Sequence, residues 1–345
     1  MPRRAMTGQL VIRQAGPGLS VQDAGRPDMT GIGLSRGGAA DRLALAEGAA
    51  LLRQAQPGAA LEMAGMGGRF EVTQPTRIAL TGAPMTARIG DRSVSWNASH
   101  RLEPGEVLTI GAATAGIYGY LSFPGGIVTD PVLGSRSTHL AGGVGRLITD
   151  GDRLPVGPDP DVALPGYVLP PSSRFEGGTV RYVYGPQTGL FSAAEVSRFE
   201  ATEFFRDRSG NRQGVRLKME VPPFVSEAPE NLASEFIFEG DIQMTGAGVP
   251  YVLLAECQTM GGYPRIGTVV PDDLPLIAQA RPDMRLTFRR LPSEELATAS
   301  TPLTGLIAQA RRLIRPLVRD PRHMPDLLSY SLISGVTAGD DLDRT

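Results

Sequence analysis

The sequence predicts a mainly β protein with a few helices, organised as two lobes. The chain of 345 residues contains 43 glycines and 29 prolines, which fall at short intervals between apolar runs. This spacing is typical of many short strands joined by turns. A Pro-rich polar stretch begins near residue 157 and predicts a linker. The turn and strand expected at residues 104–110 have a similar copy at residues 282–288, which favours two related lobes.

We expect a first lobe, a linker, a second lobe and a helical tail at residues 7–160, 161–177, 178–292 and 293–345. Alternating or continuous apolar residues predict strands at residues 10–13, 117–123, 179–184, 215–219 and 251–255.

Four helices are expected. They are one from an Asp41 cap to about residue 53, one from the capping box at 192–195 to about residue 205, a short one at 274–280, and an amphipathic one at 294–317 interrupted at Pro302. Residues 338–345 are polar and expected to fray.

The charge and hydropathy of the chain exclude several classes of protein. Net charge is −2 at pH 7, so no general electrostatic attraction to nucleic acid or to an anionic membrane is expected. No apolar run approaches the ~18 residues of a membrane span. The N-terminal residues show no signal peptide. We therefore expect a cytoplasmic protein.

Scarce residue types exclude further sites. Cys257 is the one cysteine and the three histidines lack metal-ligand spacing, so we expect no disulfide and no metal centre. Cys257 has no histidine near it in sequence and is expected to be a packing residue rather than a nucleophile. The one lysine, Lys218, follows no Gly-rich loop, so a Walker A phosphate loop is absent.

Two Gly-containing clusters in the first lobe have both a structural and a functional interpretation. Gln22, Asp23 and Arg26 belong to a cluster that is either a capped turn with an Asp23–Arg26 pair or part of a site. Gly37 and Gly38 precede the helix capped by Asp41. They form either a tight helix entry or a place where backbone N–H groups approach an anion.

Two clusters in the second lobe carry more chemistry. The charged segment 206–216 includes Asn211 and Arg212. It is either a solvated loop or a preformed site for an amide or a carboxylate, because an asparagine amide donates and accepts while a guanidinium clamps carboxylates. The turn at 256–264 leaves a buried strand and contains Gly261, Gly262 and Tyr263. It is either a strained turn or a ligand site.

Seven ordered motifs resemble a known family. They are Val21–Pro27, Gly37–Arg42, Leu80–Ala83, Gly125–Ile127, Leu133–Thr138, Asn211–Leu217 and Gln258–Pro264. The sequence resembles the allophanate hydrolase subunit 2 group, also called the KipA or biotin-dependent carboxyltransferase family. That group includes the C-type subunit of the bacterial ATP-dependent 5-oxoprolinase and half of the carboxyltransferase domain of urea carboxylase. The chain departs from the family at Gln213, where methionine is frequent, and at Glu256, where aspartate is common.

The resemblance implies a fold, partners and site residues. The fold would be two cyclophilin-like β-barrel lobes, here followed by the C-terminal helix. The partners would be a KipI-type protein (allophanate hydrolase subunit 1) and a LamB/YcsF-type subunit. Asn211, Arg212 and Gln258 would be catalytic, and Gln22, Asp23 and Arg26 would support them from behind. The expected substrate contacts are Arg216, Thr259, Gly261, Gly262, Tyr263, Pro264, Gly37, Gly38 and Asp41.

Three functions agree with this resemblance, and we rank them in order. The first is a subunit of a 5-oxoprolinase, in which the complex uses ATP to open a small lactam. The second is a carboxyltransferase half that receives carboxybiotin from a separate carrier, because the sequence has no Met-Lys-Met biotinylation site. The third is a KipA-like regulator that binds the KipI-type protein without catalysis.

Overall fold

A computed structural model describes residues 8–229 and 232–318. In the first half of the chain the strands are β1 (Gly8–Ala15), β2 (Ser20–Gln22), β3 (Ala60–Ala64), β4 (Gly68–Val72), β5 (Thr76–Gly82), β6 (Met85–Ile89), β7 (Arg92–Ser93), β8 (Ala98–Leu102), β9 (Leu108–Ala113), β10 (Tyr118–Ser122), β11 (Arg153–Val156) and β12 (Tyr167–Val168).

The second half contributes ten strands. They are β13 (Gly178–Val183), β14 (Phe204–Asn211), β15 (Gly214–Met219), β16 (Glu235–Phe236), β17 (Asp241–Met244), β18 (Pro250–Leu253), β19 (Met260–Gly261), β20 (Arg265–Val269), β21 (Arg285–Arg290) and β22 (Arg315–Pro316). The α-helices are α1 (Arg42–Leu51), α2 (Ala193–Ala201), α3 (Leu274–Gln279) and α4 (Leu303–Leu313). The prediction of a mainly β protein with a few helices is confirmed.

The first lobe is built from two sheets with a shared apolar core. Their strand orders are β11-β1-β4-β9-β6-β7 and β2-β3-β10-β5-β8-β12-β22. All seven residues of β5 are buried, because the strand has an apolar neighbour on each face. Ile78 and Leu80 point into the core between the sheets, whereas Ala79 packs with helices α1 and α4. This placement explains the continuous apolar sequence of the strand.

The second lobe is a closed barrel with the order β13-β20-β17-β18-β15-β14-β21. Helix α2 packs on it through Phe199, whose ring lies 4.9 to 5.7 Å from Tyr182, Phe204, Phe224 and Phe288. The same core cluster continues to residues of the first lobe, including Leu45. The two lobes therefore share apolar packing.

Most predicted elements are confirmed, with two corrected helix ends. The C-terminal helix ends at Leu313 and not at residue 317, because Ile314 is extended and residues 315–316 form β22. Asp41 caps α1 through a bond from the Ala44 N–H to its carboxylate. The helix opened by Ser192 ends at Ala201 and not near residue 205, because Thr202 is extended and Phe204 begins β14. The strands after both Pro-containing turns are present as β9 and β21.

The expected linker and tail contain paired strands. Within the linker, β12 pairs with β8 of the first lobe and with β22 of the tail. The predicted interruption at Pro302 separates a 3₁₀ segment, Ser293–Ala299, from α4. The domain boundaries themselves stay a prediction, and residues 338–345 lie outside the described residues. Among the described helices, none has the length and apolar character to cross a bilayer.

Candidate active site

A cleft of about 320 Å³ lies between the two lobes and contains part of the predicted site. The first lobe contributes residues of β2, β10 and the segment before β11, and the second lobe contributes the β14–β15 hairpin and Glu256. Its lining includes Gln22, Tyr118, Arg206, Asn211, Arg212 and Glu256. Clefts of this size at lobe boundaries are typical places for small-molecule sites.

The β14–β15 hairpin places Asn211 and Arg212 at the cleft. The pairing register shifts between Arg206 and Gly210, and such bulges re-aim side chains. The Asn211 Oδ1 accepts the Gln213 N–H at 2.7 Å, which closes the turn. Its Nδ2 donates to no other described residue, so this amide group is available to a ligand.

Arg212 is fixed by three protein acceptors. Its guanidinium donates to Glu62, to the Gly38 carbonyl and, through Nε, to Glu256 Oε1 at 2.5 Å. Burial lowers the pKa of Arg212, but Glu62 and Glu256 outweigh burial and raise the pKa above its usual value. Its charge is balanced within the protein, so the geometry indicates a positioning residue where we expected direct contact with substrate.

A buried chain of hydrogen bonds continues from Arg212 into the first lobe. Tyr120 donates its hydroxyl proton to Glu62 Oε2 at 2.6 Å. The same hydroxyl oxygen accepts the Asp41 N–H at 2.8 Å. Burial raises the pKa of Tyr120 well above its usual value, so the hydroxyl remains a donor. The chain connects the cleft to the start of α1.

Gly37 and Gly38 make the close backbone approach predicted for them, but toward the protein itself. Both have positive φ, 61° and 78°. The Gly37 N–H donates to the Ala255 carbonyl at 2.8 Å, and the Gly38 carbonyl accepts from Arg212. The two glycines therefore connect the lobes, and the Gly37 N–H is occupied by the protein instead of an anion.

Asp41 is a structural residue in the described geometry. It is completely buried. One carboxylate oxygen caps Ala44, and the other accepts from Arg174 Nε at 2.9 Å and Gln279 Nε2 at 2.8 Å. The expectation of substrate contact at Asp41 is corrected, because both oxygens are occupied by protein donors.

Asp23 and Arg26 both contact the segment 132–137, without the direct pairing considered for the turn. Asp23 accepts the Ser135 hydroxyl at 2.5 Å and the Arg136 N–H at 2.7 Å. Arg26, 1 % exposed, donates to Ser137 and to backbone carbonyls of residues 132–137. Both side chains hold the segment that packs behind Gln22.

Gln22 lies directly in the cleft lining. Its Nε2 donates to Ser20 Oγ at 3.0 Å and to the Thr138 carbonyl at 3.2 Å, which fixes the orientation of the amide. Its Oε1 is buried and accepts no hydrogen bond within the described residues. An unsatisfied buried acceptor requires an explanation, and a bound donor provides one.

The turn at 258–264 does not join this cleft, which corrects the expected site. The chain turns at Cys257, whose N–H bonds the Leu254 carbonyl, and β19 then pairs with β16. Gln258 and Gly262 are exposed, Thr259 is buried, Gly261 lies within β19, and Tyr263 and Pro264 line a separate cavity of about 390 Å³.

Two other residues, Arg216 and Cys257, lie outside the cleft lining. Arg216 is 45 % exposed in its side chain and pairs with Asp207 at 2.9 Å, so it is corrected from substrate contact to a surface ion pair. Cys257 is buried, and burial raises the pKa of its thiol to about 12. This environment agrees with the expectation of a packing residue.

Tyr118 and Arg206 are two polar residues of the cleft lining that were not selected as site residues from the sequence. Tyr118 lies in a strand, where alternation predicts burial but not a site. Burial, with Glu62 as the next cause, raises the pKa of Tyr118 to about 12, so its hydroxyl can act as a neutral donor. Arg206 is the first residue of the charged segment 206–216. Only its contacts in the folded protein distinguish it from the other arginines of that segment.

Comparison with known proteins now assigns the family. Residues 32–290 match the model of the carboxyltransferase domain, subdomain A and B. The chain belongs to the carboxyltransferase-domain family. This membership confirms the resemblance inferred from the ordered motifs.

Two curated relatives carry different names. The C-type subunit of the 5-oxoprolinase of Escherichia coli K12 is 31 % identical over 294 residues, which are 84 % of this chain and 94 % of that protein. The urea amidolyase of Lachancea kluyveri is 26 % identical over 76 % of this chain but only 16 % of its own length. The first relative is named as a subunit of an enzyme, which implies further subunits in its complex.

Solved structures share the fold. The crystal structure of TTHA0988 superposes with a TM-score of 0.74 at 28 % identity and covers 84 % of this chain. The chain spans 57 % of that protein. The urea carboxylase of Kluyveromyces lactis gives a TM-score of 0.77 over 91 % of this chain and 31 % of its own, at 22 % identity. The latter likeness concerns the fold alone.

Proposed function

We propose that this chain is the C-type subunit of a cytoplasmic ATP-dependent 5-oxoprolinase that opens 5-oxoproline to glutamate. The observation that carries the proposal is the alignment with the C-type subunit of E. coli across 94 % of that relative. The interlobe cleft supports it, because its volume of about 320 Å³ suits a small lactam. The partners would be the KipI-type and LamB/YcsF-type proteins.

The cleft residues match the needs of lactam activation. A five-membered lactam is a stable amide, and transfer of the ATP γ-phosphoryl group to its oxygen would make the ring carbon open to attack by water. The C–N bond then breaks, the nitrogen gains a proton and phosphate leaves. Asn211 Nδ2 would donate to the amide oxygen and orient it. Tyr118 would act as a second neutral donor, and Arg212 would hold the hairpin in place.

ATP is assigned to the complex and not to this cleft. A volume of about 320 Å³ lies at the lower end of small-molecule pockets, and no Gly-rich loop precedes the one lysine of the sequence. We therefore derive no step for the nucleotide from the residues of this chain. Its phosphoryl group would reach the lactam from a partner protein.

Two variants of one residue test the proposal in the complex reconstituted from all three proteins. Asn211→Asp keeps the Oδ1 that accepts the Gln213 N–H but removes the Nδ2 donor. Asn211→Ala removes both. We expect each variant to lower kcat/KM for ATP-dependent glutamate release by about a hundredfold, a value within the range for loss of one stabilising donor.

The control is Gln213→Ala, which leaves the side chain of Asn211 and the backbone N–H of residue 213 in place. It should keep activity within a factor of a few. Glutamate release that is independent of ATP, or absent from a well-formed wild-type complex, would contradict the proposal.

A second candidate is the carboxyltransferase half of a biotin-dependent urea or amide carboxylase. The family assignment and the urea amidolyase relative favour it. The single lysine, Lys218, is not in a biotinylation motif, so carboxybiotin would arrive on a separate carrier and the same amide-binding residues would orient the acceptor nitrogen. Carboxylation of urea that requires this chain and a biotin carrier would establish this function.

The regulatory interpretation is a third prediction. A KipA-like protein that only sequesters its KipI-type partner needs a binding surface and no cleft chemistry. Cellular effects that persist in Asn211→Ala and Asn211→Asp would therefore favour regulation over catalysis.

A further inference from the structure

Arg206 is a buried cation with almost no compensation. It lies in β14 with 6 % exposure, and its Nη1 donates to the Asp207 carbonyl at 3.0 Å. Its Nε is buried and donates to no partner within the described residues. No carboxylate of the described residues lies within 4.0 Å of it. A buried charge in this state is costly unless something else pairs with it.

The acidic residue next to Arg206 in the sequence, Asp207, is occupied by other donors. Asp207 Oδ1 accepts the Ser209 N–H at 2.7 Å, and Oδ2 accepts from Arg216 Nη1 at 2.9 Å. Both oxygens of the Asp207 carboxylate therefore have other donors, and the carboxylate forms its ion pair with Arg216 instead of Arg206. Burial is the largest influence on Arg206 and lowers its pKa, with opposing contributions from Tyr118, Asp207 and Tyr251. Glu62 and Glu256 are satisfied by Arg212.

The other buried arginines of the described residues are all satisfied. Arg77, Arg174 and Arg265 each pair with carboxylates. Arg26 makes four hydrogen bonds to Ser137 and to backbone carbonyls. Arg206 makes one. This smaller number of partners distinguishes Arg206 from the buried arginines that stabilise the fold.

Arg206 also lines the cleft, where the absence of a side chain at Gly210 leaves space for its guanidinium. A Cβ on Gly210 would lie 2.8 Å from Arg206 Nη2, so only glycine leaves the guanidinium its present position. Both residues are part of the cleft lining. The first lobe contributes Gln22 to the same lining, and its buried Oε1 lacks a donor. The cleft thus contains an unmatched cation and an unmatched acceptor.

We infer that Arg206 is the specificity residue of this cleft and binds the carboxylate of a small amide that also presents an N–H. This inference rests on the proposed function. It names the ligand class as a lactam that carries a carboxylate, and it makes the carboxylate a requirement for tight binding. A neutral amide such as urea or an unsubstituted lactam leaves Arg206 uncompensated. Asn211 then donates a hydrogen bond to the amide oxygen, and Arg206 binds the carboxylate of the same molecule.

Calorimetric titration of the purified chain tests the inference with two ligands. 5-Oxoproline and 2-pyrrolidinone share the lactam ring, and only the first has a carboxylate. We expect 5-oxoproline to bind about ten- to a hundredfold more tightly, the range for a hydrogen bond to a charged group. Arg206→Met should abolish this difference and leave the weak binding of 2-pyrrolidinone unchanged. Arg208→Met, an exposed arginine of the same strand, is the matched control.

A second variant covers the case in which Arg206→Met fails to fold. Gly210→Ala displaces the flexible end of Arg206 without a strained φ, and it should weaken 5-oxoproline binding in the same direction. In the active complex, both variants should raise KM much more than they lower kcat, because the carboxylate contact is equal in ground and transition states. Equal affinity of wild type and folded Arg206→Met for 5-oxoproline would overturn the inference.

The experiment separates failure of the inference from failure of the proposed function. If the complex releases no glutamate, the chain is titrated with formate and acetate. Monocarboxylate binding that is lost in Arg206→Met supports the role of Arg206 while the lactam function fails. Absence of monocarboxylate binding in the wild type overturns both.

Discussion

At the residue scale, the cleft depends on one arginine held between two carboxylates. Arg212 lies between Glu62 and Glu256, whose side chains are only 1 % and 3 % exposed. Removing one member of such a group leaves an uncompensated buried charge, which is strongly destabilising. The arrangement therefore fixes the hairpin that carries Asn211, and it leaves Arg206 as the cation open to a ligand.

Tyr120 offers a mild test of this network. Tyr120→Phe removes the donor to Glu62 and the acceptor for the Asp41 N–H, while the ring stays in place. We expect a loss of about 1–3 kcal/mol in the free energy of unfolding, the usual cost of buried groups left unpaired. Urea denaturation measures it.

The control for Tyr120 is Tyr184→Phe. Tyr184 is 41 % exposed, and its ring packs under Arg290. Its replacement should change stability by less than about 0.5 kcal/mol. Equal effects of the two substitutions would show that the Tyr120 hydroxyl does not stabilise the network.

At the element scale, the Gly-containing segment 139–144 contributes Leu140 to the cleft lining and is held by His139. The Gly142 N–H donates to His139 Nδ1 at 2.9 Å, so Nδ1 carries no proton. The Nε2 proton is then donated to Ser35 Oγ at 2.9 Å. This tautomer is neutral, and burial lowers the pKa of His139 from its usual 6.5.

The pH dependence of stability follows from this pairing. Below pH 6.5 the unfolded chain binds a proton at His139 that the folded state resists, so stability is complete above pH 6.5 and falls as pH decreases toward the folded pKa. One such group contributes at most about 1.4 kcal/mol per pH unit. Glu256 opposes the shift, and Arg26 and Arg212 add to it.

We expect His139→Asn to flatten the fall in unfolding free energy below pH 6.5, because the asparagine oxygen can accept the Gly142 N–H without titrating. His100 is also buried with a lowered pKa, so part of the slope should remain. Ser35→Ala keeps the imidazole and should keep the wild-type slope. Parallel curves for His139→Asn and the wild type in denaturant series across this pH range would contradict the role of His139.

At the scale of the whole molecule, Gln279 is a principal link between the lobes. It ends α3 in the second lobe and is completely buried. Its Oε1 accepts the N–H groups of Ile117 and Tyr118, and its Nε2 donates to the Tyr118 carbonyl and to Asp41. One amide therefore completes the start of β10 in the other lobe.

Gln279→Leu should destabilise the protein by about 3 kcal/mol or more, because it keeps the volume but leaves the N–H groups of Ile117 and Tyr118 without their acceptor. It also removes one donor each from the Tyr118 carbonyl and from Asp41. We also expect one cooperative unfolding transition to separate into two as coupling between the lobes weakens. Calorimetry measures both effects. Gln56→Leu, at an exposed position, should leave the transition single. A single transition of unchanged midpoint in Gln279→Leu would show that the link is dispensable.

The sequence by itself determined local structure and pointed to two residues of the cleft lining. Apolar periodicity located the strands, and Asp41 was correctly expected to cap α1. Asn211 and Arg212 were selected from residue type and spacing, and both line the cleft. These features depend on contacts within a few residues, which sequence patterns encode directly.

Only the tertiary structure decided which distant groups meet. Arg212 and Glu62 are 150 positions apart, and no pattern in the sequence joins them. The same long-range packing brought Tyr118 and Arg206 into the cleft, committed Asp41 to Arg174 and Gln279, and turned residues 258–264 toward another cavity. Whether a polar side chain meets a ligand depends on which partners already satisfy it, and those partners come from the folding of both lobes together.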